Sequence, residues 1–333
     1  MGHPMTLDEF LAQWHDGNDR LLVHTSGSTG HPKPLWVEKR RMETSARVTC
    51  DFLGLRPGDT ALLCLPLDYI AGKMVVVRAQ VRGLRILAVG ASGHPLAHVG
   101  PGERIDFAAM VPSQVYNSLQ VPSECDLLRS VSHLIIGGGA VDGEMAARLR
   151  DFPHAVWSTY GMTETLSHIA LRRLNGAEAS EWYTPFEGVD VTTTDDGCLV
   201  IDAPGVAEQR LVTNDRVEIA DDGRRFKVLG RKDNVIDSGG VKIQIEEVEK
   251  ALKPCLAIPF AVTKRPHPKW GEAVVLVYVD ADGDGIDADD IRKVCESCLP
   301  KYWRPQYYLR VSAIPFTETG KPARGRIEEM ARD

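Results

Sequence analysis

The chain has 333 residues, of which 43% are hydrophobic and 26% charged, with a formal net charge of −7. That is enough for a globular protein of two domains, each with its own core. The acidic balance argues against a nucleic-acid partner, so an anionic substrate has to be held by local donors or a metal.

In chain order, residues 6–15 read as a short amphipathic helix, with Thr6 and Glu9 spaced as a capping box. Leu21-Leu22-Val23 is an apolar strand leading into the stretch His24 to Pro34, HTSGSTGHPKP. Residues 36–52 alternate basic and apolar residues and predict a helix, followed by a Pro57-Gly58 turn. The pairs 60–65 with 69–82, 107–111 with 112–119 and 131–136 with 142–150 each read as strand then helix; 84–89 and 155–158 are further strands. That alternation predicts an α/β fold whose large domain, residues 1–229, holds a mostly parallel sheet covered by helices. Residues 189–229 change texture to short alternating strands broken by Asp-Asp-Gly and Asn-Asp turns, an antiparallel β subdomain. The polar run 230–234 is a candidate hinge. Residues 235–333 read as a mobile carboxyl-terminal α+β domain, with helices at 245–252, 287–298 and 323–330 and strands at 256–263, 273–279 and 307–312.

The seven cysteines, Cys50, Cys64, Cys125, Cys198, Cys255, Cys295 and Cys298, are scattered, odd in number and mostly set in apolar runs. That pattern predicts reduced thiols rather than a disulfide framework. No run approaches the ~20 apolar residues of a membrane span. The amino terminus has no basic-then-apolar signal pattern, and the expected location is the cytoplasm.

Thr25, Ser26, Gly27, Ser28, Thr29 and Gly30, with Lys33 just beyond, put several N–H and O–H donors and one cation within a few residues. Small residues let backbone approach a ligand closely, and such a loop suits phosphate oxygens. It is not a Walker loop, because the second glycine position is Pro32 and Lys33 is followed by Pro34. A second glycine run, Gly137-Gly138-Gly139-Ala140, follows a strand. Its spacing departs from the dinucleotide fingerprint, and no ribose-binding acid ends the next strand.

Four stretches in order, HTSGSTGHPK (24–33), YGMTET (160–165), GRKDNVIDSGGVKIQIEEVE (230–249) and TETGK (317–321), resemble the core motifs of the adenylate-forming superfamily of acyl-CoA ligases, adenylation domains and luciferases. The resemblance implies an enzyme that uses ATP and Mg²⁺ to adenylate a small carboxylic acid, releasing pyrophosphate, and then passes the acyl group to CoA. By position, Thr25 to Gly30, Lys33 and Thr163 would meet the phosphates. Gly138, Gly139, Ala140, Tyr160, Gly161, Asp215 and Arg231 would hold adenine and ribose, and Glu164 would hold Mg²⁺ as a hard oxygen ligand. Asp233 matches the hinge residue, and Ser238, Gly239 and Gly240 the loop that admits the pantetheine arm of CoA. Lys321 matches the catalytic lysine, which stabilises charge on the α-phosphate as pyrophosphate leaves. Two positions depart from the family pattern: Pro34 follows the phosphate loop, and Asn214 stands where a glycine is usual.

LPLDYIAGKMVVVRA (65–79) and YGMTETLSHIALR (160–172) further resemble the o-succinylbenzoate–CoA ligases of menaquinone biosynthesis, particularly those with a short amino-terminal part. That acid carries two carboxylates, and the one not activated needs a donor or cation. Lys73 is the expected partner, with Tyr69, Ser113 and His168 as further pocket candidates. The apolar segment Met74 to Val77 offers a homodimer contact. Another aryl- or acyl-CoA ligase, a carrier-linked adenylation enzyme and a non-catalytic nucleotide-binding homologue are the alternatives.

Overall fold

The computed structural model describes residues 3–24, 34–280, 288–317 and 322–332. Helix α1, Leu7–Trp14, begins with the expected capping box: Glu9 N–H donates to Thr6 Oγ1 and the Glu9 carboxylate accepts from Thr6 N–H. Strands β1, Arg20–His24, and β2, Pro34–Glu38, form an antiparallel hairpin in which His24 is opposite Pro34. Here the expected helix over 36–52 starts late. Trp36 and Val37 pair with Leu22 and Leu21, and α2 runs over Lys39–Leu53, stopped by Gly54 at φ 68°. The Lys39 ammonium donates to the carbonyls of Gln13 and Trp14 and to Asp16, closing the carboxyl end of α1 against α2.

The main body follows: β3 Thr60–Leu63, α3 Ile70–Arg82, β4 Arg85–Ala88, β5 Phe107–Met110, α4 Pro112–Gln120, α5 Pro122–Ser130, β6 His133–Ile136, α6 Gly143–Leu149, β7 Ala155–Gly161, β8 His168–Arg173 and β9 Thr184–Pro185. They build a seven-stranded sheet in the order β4-β3-β5-β6-β7-β8-β9. The five strands from β4 to β7 are parallel; β8 and β9 join antiparallel. β3 and β5 are buried along their whole length, as continuous apolar runs in a parallel sheet should be. Helix α3 packs against α2, and Met74, Val75, Val76 and Val77 are each 0% exposed. The segment expected to offer a dimer contact is therefore core, which its uniformly apolar sequence could not distinguish from a sticky surface.

Strands β10 Asp190–Thr193, β11 Cys198–Asp202, β12 Leu211–Ile219 and β13 Phe226–Arg231 form the antiparallel sheet read from the sequence. After one 3₁₀ turn, Lys232–Asn234, come β14 Val235–Ser238, β15 Val241–Gln244, α7 Ile245–Leu252, β16 Phe260–His267, β17 Gly271–Val279, α8 Ala288–Cys298, β18 Tyr307–Val311 and α9 Arg324–Met330. The last sheet runs β15-β14-β17-β16, with β18 parallel on β17, around its own core of residues such as Ile243, Val248, Val262 and Leu276. Cys255 and Cys298 form a disulfide between the ends of α7 and α8, which corrects the expectation of reduced thiols throughout; Cys50, Cys64, Cys125, Cys198 and Cys295 are free. The two cysteines meet because α7 and α8 lie side by side, a proximity across 43 residues that spacing alone does not reveal. No helix among the described residues is long and apolar enough to cross a membrane.

Candidate active site

In a parallel sheet, the loops at the carboxyl ends of the strands gather into one crevice. Here those loops follow β5, β6 and β7. After β6, Gly138 takes φ 77°, and the loop passes so near α4 that a Cβ on Gly139 would lie 3.2 Å from Pro112. Asp142 ends the loop as the N-cap of α6, its Oδ1 accepting from Met145 N–H at 2.8 Å. Its Oδ2 pairs with Lys253, just beyond α7.

Tyr160 stands near the end of β7 with its ring edge-on to Phe226, centroids 5.0 Å apart. Its hydroxyl donates to Asp215 Oδ2 at 2.6 Å. Burial, with Asp215 adding to it, pushes the phenol well above its ordinary range, so it stays a neutral donor. Asp215 lies on β12 directly opposite Arg231 of β13, whose Nη1 reaches Asp215 Oδ1 at 3.2 Å. The other guanidinium nitrogen reaches Asp233 Oδ2 at 2.7 Å. Tyr160, Asp215, Arg231 and Asp233, scattered in sequence, thus form one connected chain. Asn214 needs no left-handed backbone: it sits inside β12, and among the described residues Leu166 is the non-glycine with positive φ.

The turn after β7 is held unusually tightly. A Cβ on Gly161 would come within 2.3 Å of the Ser167 carbonyl and 2.5 Å of His168 Cα, so no larger residue fits. Thr163 and Glu164 occupy a short 3₁₀ turn, Thr163 buried and Glu164 half-buried. Thr165 Oγ1 accepts from Met162 N–H and donates to the Ser167 carbonyl at 2.8 Å. The chain then reverses at Leu166, φ 66°, a backbone strain sustained by those bonds and by the buried leucine side chain. Glu164 is half-buried, and no cluster of three metal-ligating side chains exists among the described residues, so a Mg²⁺ held by this one hard carboxylate would take its other ligands from phosphate and water.

Beyond Leu166 lies a buried polar cluster. Arg78, on α3, is 2% exposed; its Nη2 donates to Ser167 Oγ at 2.6 Å and lies 3.4 Å from Thr49 Oγ1. His168 meets Thr49 Oγ1 through Nε2 at 3.0 Å and Ser167 Oγ through Nδ1 at 3.2 Å. Burial draws the Arg78 guanidinium down to about 10, leaving it cationic at neutral pH. Burial and the nearby Arg78 charge hold His168 well below its ordinary value, so its imidazole is neutral. Among the described residues, Arg78 Nε has no hydrogen-bond partner.

Lys73, expected in the acid pocket, does not join this cluster. It is 1% exposed, its ammonium donates to the Leu67 carbonyl, lies 3.4 Å from Met5 Sδ and sits over the Phe10 ring. Five residues along a helix turn a side chain to a different face, and Lys73 faces α1 while Arg78 faces β8. Ser113 is exposed at the start of α4 and also lies outside the cluster; Tyr69 is half-buried as the residue preceding α3. Ser238, Gly239 and Gly240 form the β14–β15 turn, lying against Trp270, whose carbonyl accepts from Gly239 N–H at 2.8 Å. Thr25 to Gly30, Lys33 and Lys321 lie outside the described residues. Arg78 and Thr49 escaped sequence reasoning; the available signal was an arginine closing the otherwise apolar run Met74 to Val77.

Residues 10–207 match the AMP-binding enzyme family and residues 247–321 the AMP-binding enzyme C-terminal domain. The chain belongs to the AMP-binding enzyme family. It is 27% identical to the 2-succinylbenzoate–CoA ligase of Enterococcus faecalis, over 99% of this chain and 73% of that protein. With the corresponding ligase of Listeria monocytogenes the identity is 24%, over 96% and 72%. Among solved structures, an acyl-CoA synthetase (AMP-forming)/AMP-acid ligase II-like protein from Dyadobacter fermentans is 34% identical, with a TM-score of 0.64 over 94% of this chain and 90% of that one. The fold is also that of the o-succinylbenzoate coenzyme A synthetase from Bacillus subtilis in complex with ATP and magnesium ion, at 21% identity and a TM-score of 0.76 over 92% and 69%.

Proposed function

We propose that this protein is an AMP-forming acid–CoA ligase acting on an aromatic dicarboxylate, o-succinylbenzoate, with ATP and CoA as co-substrates and Mg²⁺ as metal. The observation that carries the substrate class is Arg78. A fully buried guanidinium whose Nε is without a hydrogen-bond partner among the described residues is costly unless an anion completes it. A carboxylate at the foot of the pocket supplies that partner, and Arg suits a planar two-oxygen acceptor. The names of the curated relatives point the same way.

On this reading Thr25 to Gly30 and Lys33 grip the departing phosphates, and Thr163 the α-phosphate. Tyr160 and Gly138 to Ala140 flank the adenine, with Gly161 beside them, while Asp215 and Arg231 face the ribose. Bound at Glu164, Mg²⁺ would neutralise phosphate charge. The acid's free carboxylate meets Arg78 and its succinyl carboxylate attacks the α-phosphate, with Lys321 stabilising the charge that develops there. Residues 235–333 then turn about Asp233 in the 230–234 hinge, and Ser238, Gly239 and Gly240 open the way for the pantetheine thiol. Water must be kept from the acyl-adenylate until the thiol arrives. The reaction belongs in the cytoplasm, where ATP and CoA are supplied.

ATP–pyrophosphate exchange over a panel of aromatic and aliphatic acids, followed by assay for the CoA thioester, tests the proposal. Exchange with o-succinylbenzoate and formation of its thioester are expected. Exchange without thioester would transfer the reading to a carrier-linked adenylation enzyme. No exchange with any acid, in protein shown to be folded, would end it.

A further inference from the structure

A cavity of about 210 Å³ adjoins the Arg78 cluster. It is walled by Val48 of α2, Ile169 of β8 and the side chains of Phe186, Val189 and Val206, with His168 between these and the cluster. His168 is the wall residue whose side chain is also hydrogen-bonded into the cluster, to Thr49 and Ser167. Its ring lies 5.6 Å from the Phe186 ring on the cavity side. A buried polar cluster, with a guanidinium and two hydroxyls, and a largely apolar cavity therefore share one imidazole.

We propose that His168 is a specificity-determining residue: it ends the acid pocket at the Arg78 cluster and keeps it separate from the cavity behind. The inference rests on the reading that the acid's distal carboxylate meets Arg78. Both ring nitrogens are engaged, so the imidazole does not swing aside without breaking two hydrogen bonds. Neutral, it does not compete with Arg78 for the carboxylate. A neutral wall backed by apolar space admits acids that end in a carboxylate and rejects those carrying an apolar group beyond it. Removing the imidazole opens the Arg78 cluster onto the cavity and lengthens the acid's site by that volume.

The test compares o-succinylbenzoate with its propyl ester at the benzoate carboxylate, by pyrophosphate exchange. Wild type, His168→Ala, His168→Asn and His168→Ala with Val48→Phe are assayed, each checked for folding by thermal melting and for ATP binding. An added apolar contact in an enzyme pocket is worth at least about tenfold in kcat/KM. The ester should gain that in His168→Ala, gain less in His168→Asn, and lose it when Val48→Phe refills the cavity. Should His168→Ala not fold, His168→Asn reads the smaller gain in the same direction. No gain for the ester in a folded variant, with wild type active on the diacid, would overturn the role of His168. So would a gain that survives Val48→Phe. Wild type inactive on the diacid would instead remove the substrate reading, and this inference with it.

Discussion

The Tyr160 hydroxyl donates to Asp215 Oδ2 at 2.6 Å, joining the end of a parallel strand in the main sheet to the middle of an antiparallel strand in another. Asp215 is thereby oriented with one oxygen on Tyr160 and the other toward Arg231. Asp215→Ala should raise the KM for ATP by roughly ten- to a hundredfold, the worth of hydrogen bonds to a charged acceptor. Tyr160→Phe removes one neutral donor from the carboxylate and should change that KM by less than about tenfold. Pyrophosphate exchange against ATP concentration separates the two; equal effects would mean that Asp215 acts only through Tyr160.

Arg78→Met replaces a buried cation by a side chain of similar length. If Arg78 meets the second carboxylate, the KM for o-succinylbenzoate should rise by about thirtyfold, near 2 kcal/mol, with the KM for ATP unchanged. Stability should hold or improve, since an uncompensated buried charge is lost. A matched series of mono- and dicarboxylic acids checks this, because only the diacids should lose affinity.

Two histidines, buried His168 and half-buried His133, set a pH dependence. His168 and His133 are both held below their ordinary values, first by burial. A group with a depressed native pKa binds fewer protons folded than unfolded. Stability from these groups is therefore full above about pH 6.5 and declines as pH falls toward their native values. Melting temperature measured from pH 8 to pH 5 should drop, and His168→Asn should flatten the slope. A slope unchanged in His168→Asn would mean that His168 titrates normally.

Gly161→Ala places a methyl where the Ser167 carbonyl and His168 Cα already stand. Backbone cannot yield as a flexible side chain would, and overpacking costs about 1–3 kcal/mol. The variant should melt several degrees lower and lose activity on every acid alike. A wild-type melting temperature would show that the turn can move.

Asp142 serves two partners, and substitutions can divide them. Asn caps a helix as well as Asp does, so Asp142→Asn keeps the cap on α6 while losing the Lys253 pair, which is half-exposed and worth at most about 1 kcal/mol. Asp142→Ala loses both and should cost about 1 kcal/mol more. Urea denaturation of the two variants measures the difference; equal losses would make the ion pair the main contribution.

Much of the body was legible because β3, β5 and β6 are short apolar runs between helix-length segments, and burial on both faces of a parallel sheet produces just that pattern. Hairpins hid more easily. Trp36 is 59% exposed on a two-stranded ribbon, and its alternation with basic residues imitates an amphipathic helix. No strand is read over Val235 to Gln244, whose pairing across Gly239 and Gly240 the sequence pattern does not reveal. Within the site, the motif residues Tyr160, Asp215 and Arg231 converge, whereas Lys73 points away from the Arg78 cluster. Both stand on one helix, and only the neighbours on each face tell which cation is walled in beside α1 and which lies beside β8.

The strained residue between the two halves of the site has a metrical consequence. Only Thr165 and the reversed residue Leu166 separate Thr163 and Glu164 from Ser167 and His168. On the proposed reading the first pair addresses the phosphate and metal, and the second pair the far end of the acid. The span between them is fixed by backbone rather than by adjustable side chains, so the pocket measures its substrate from carboxylate to carboxylate. A diacid one carbon shorter would reach Arg78 or the α-phosphate, but not both at once.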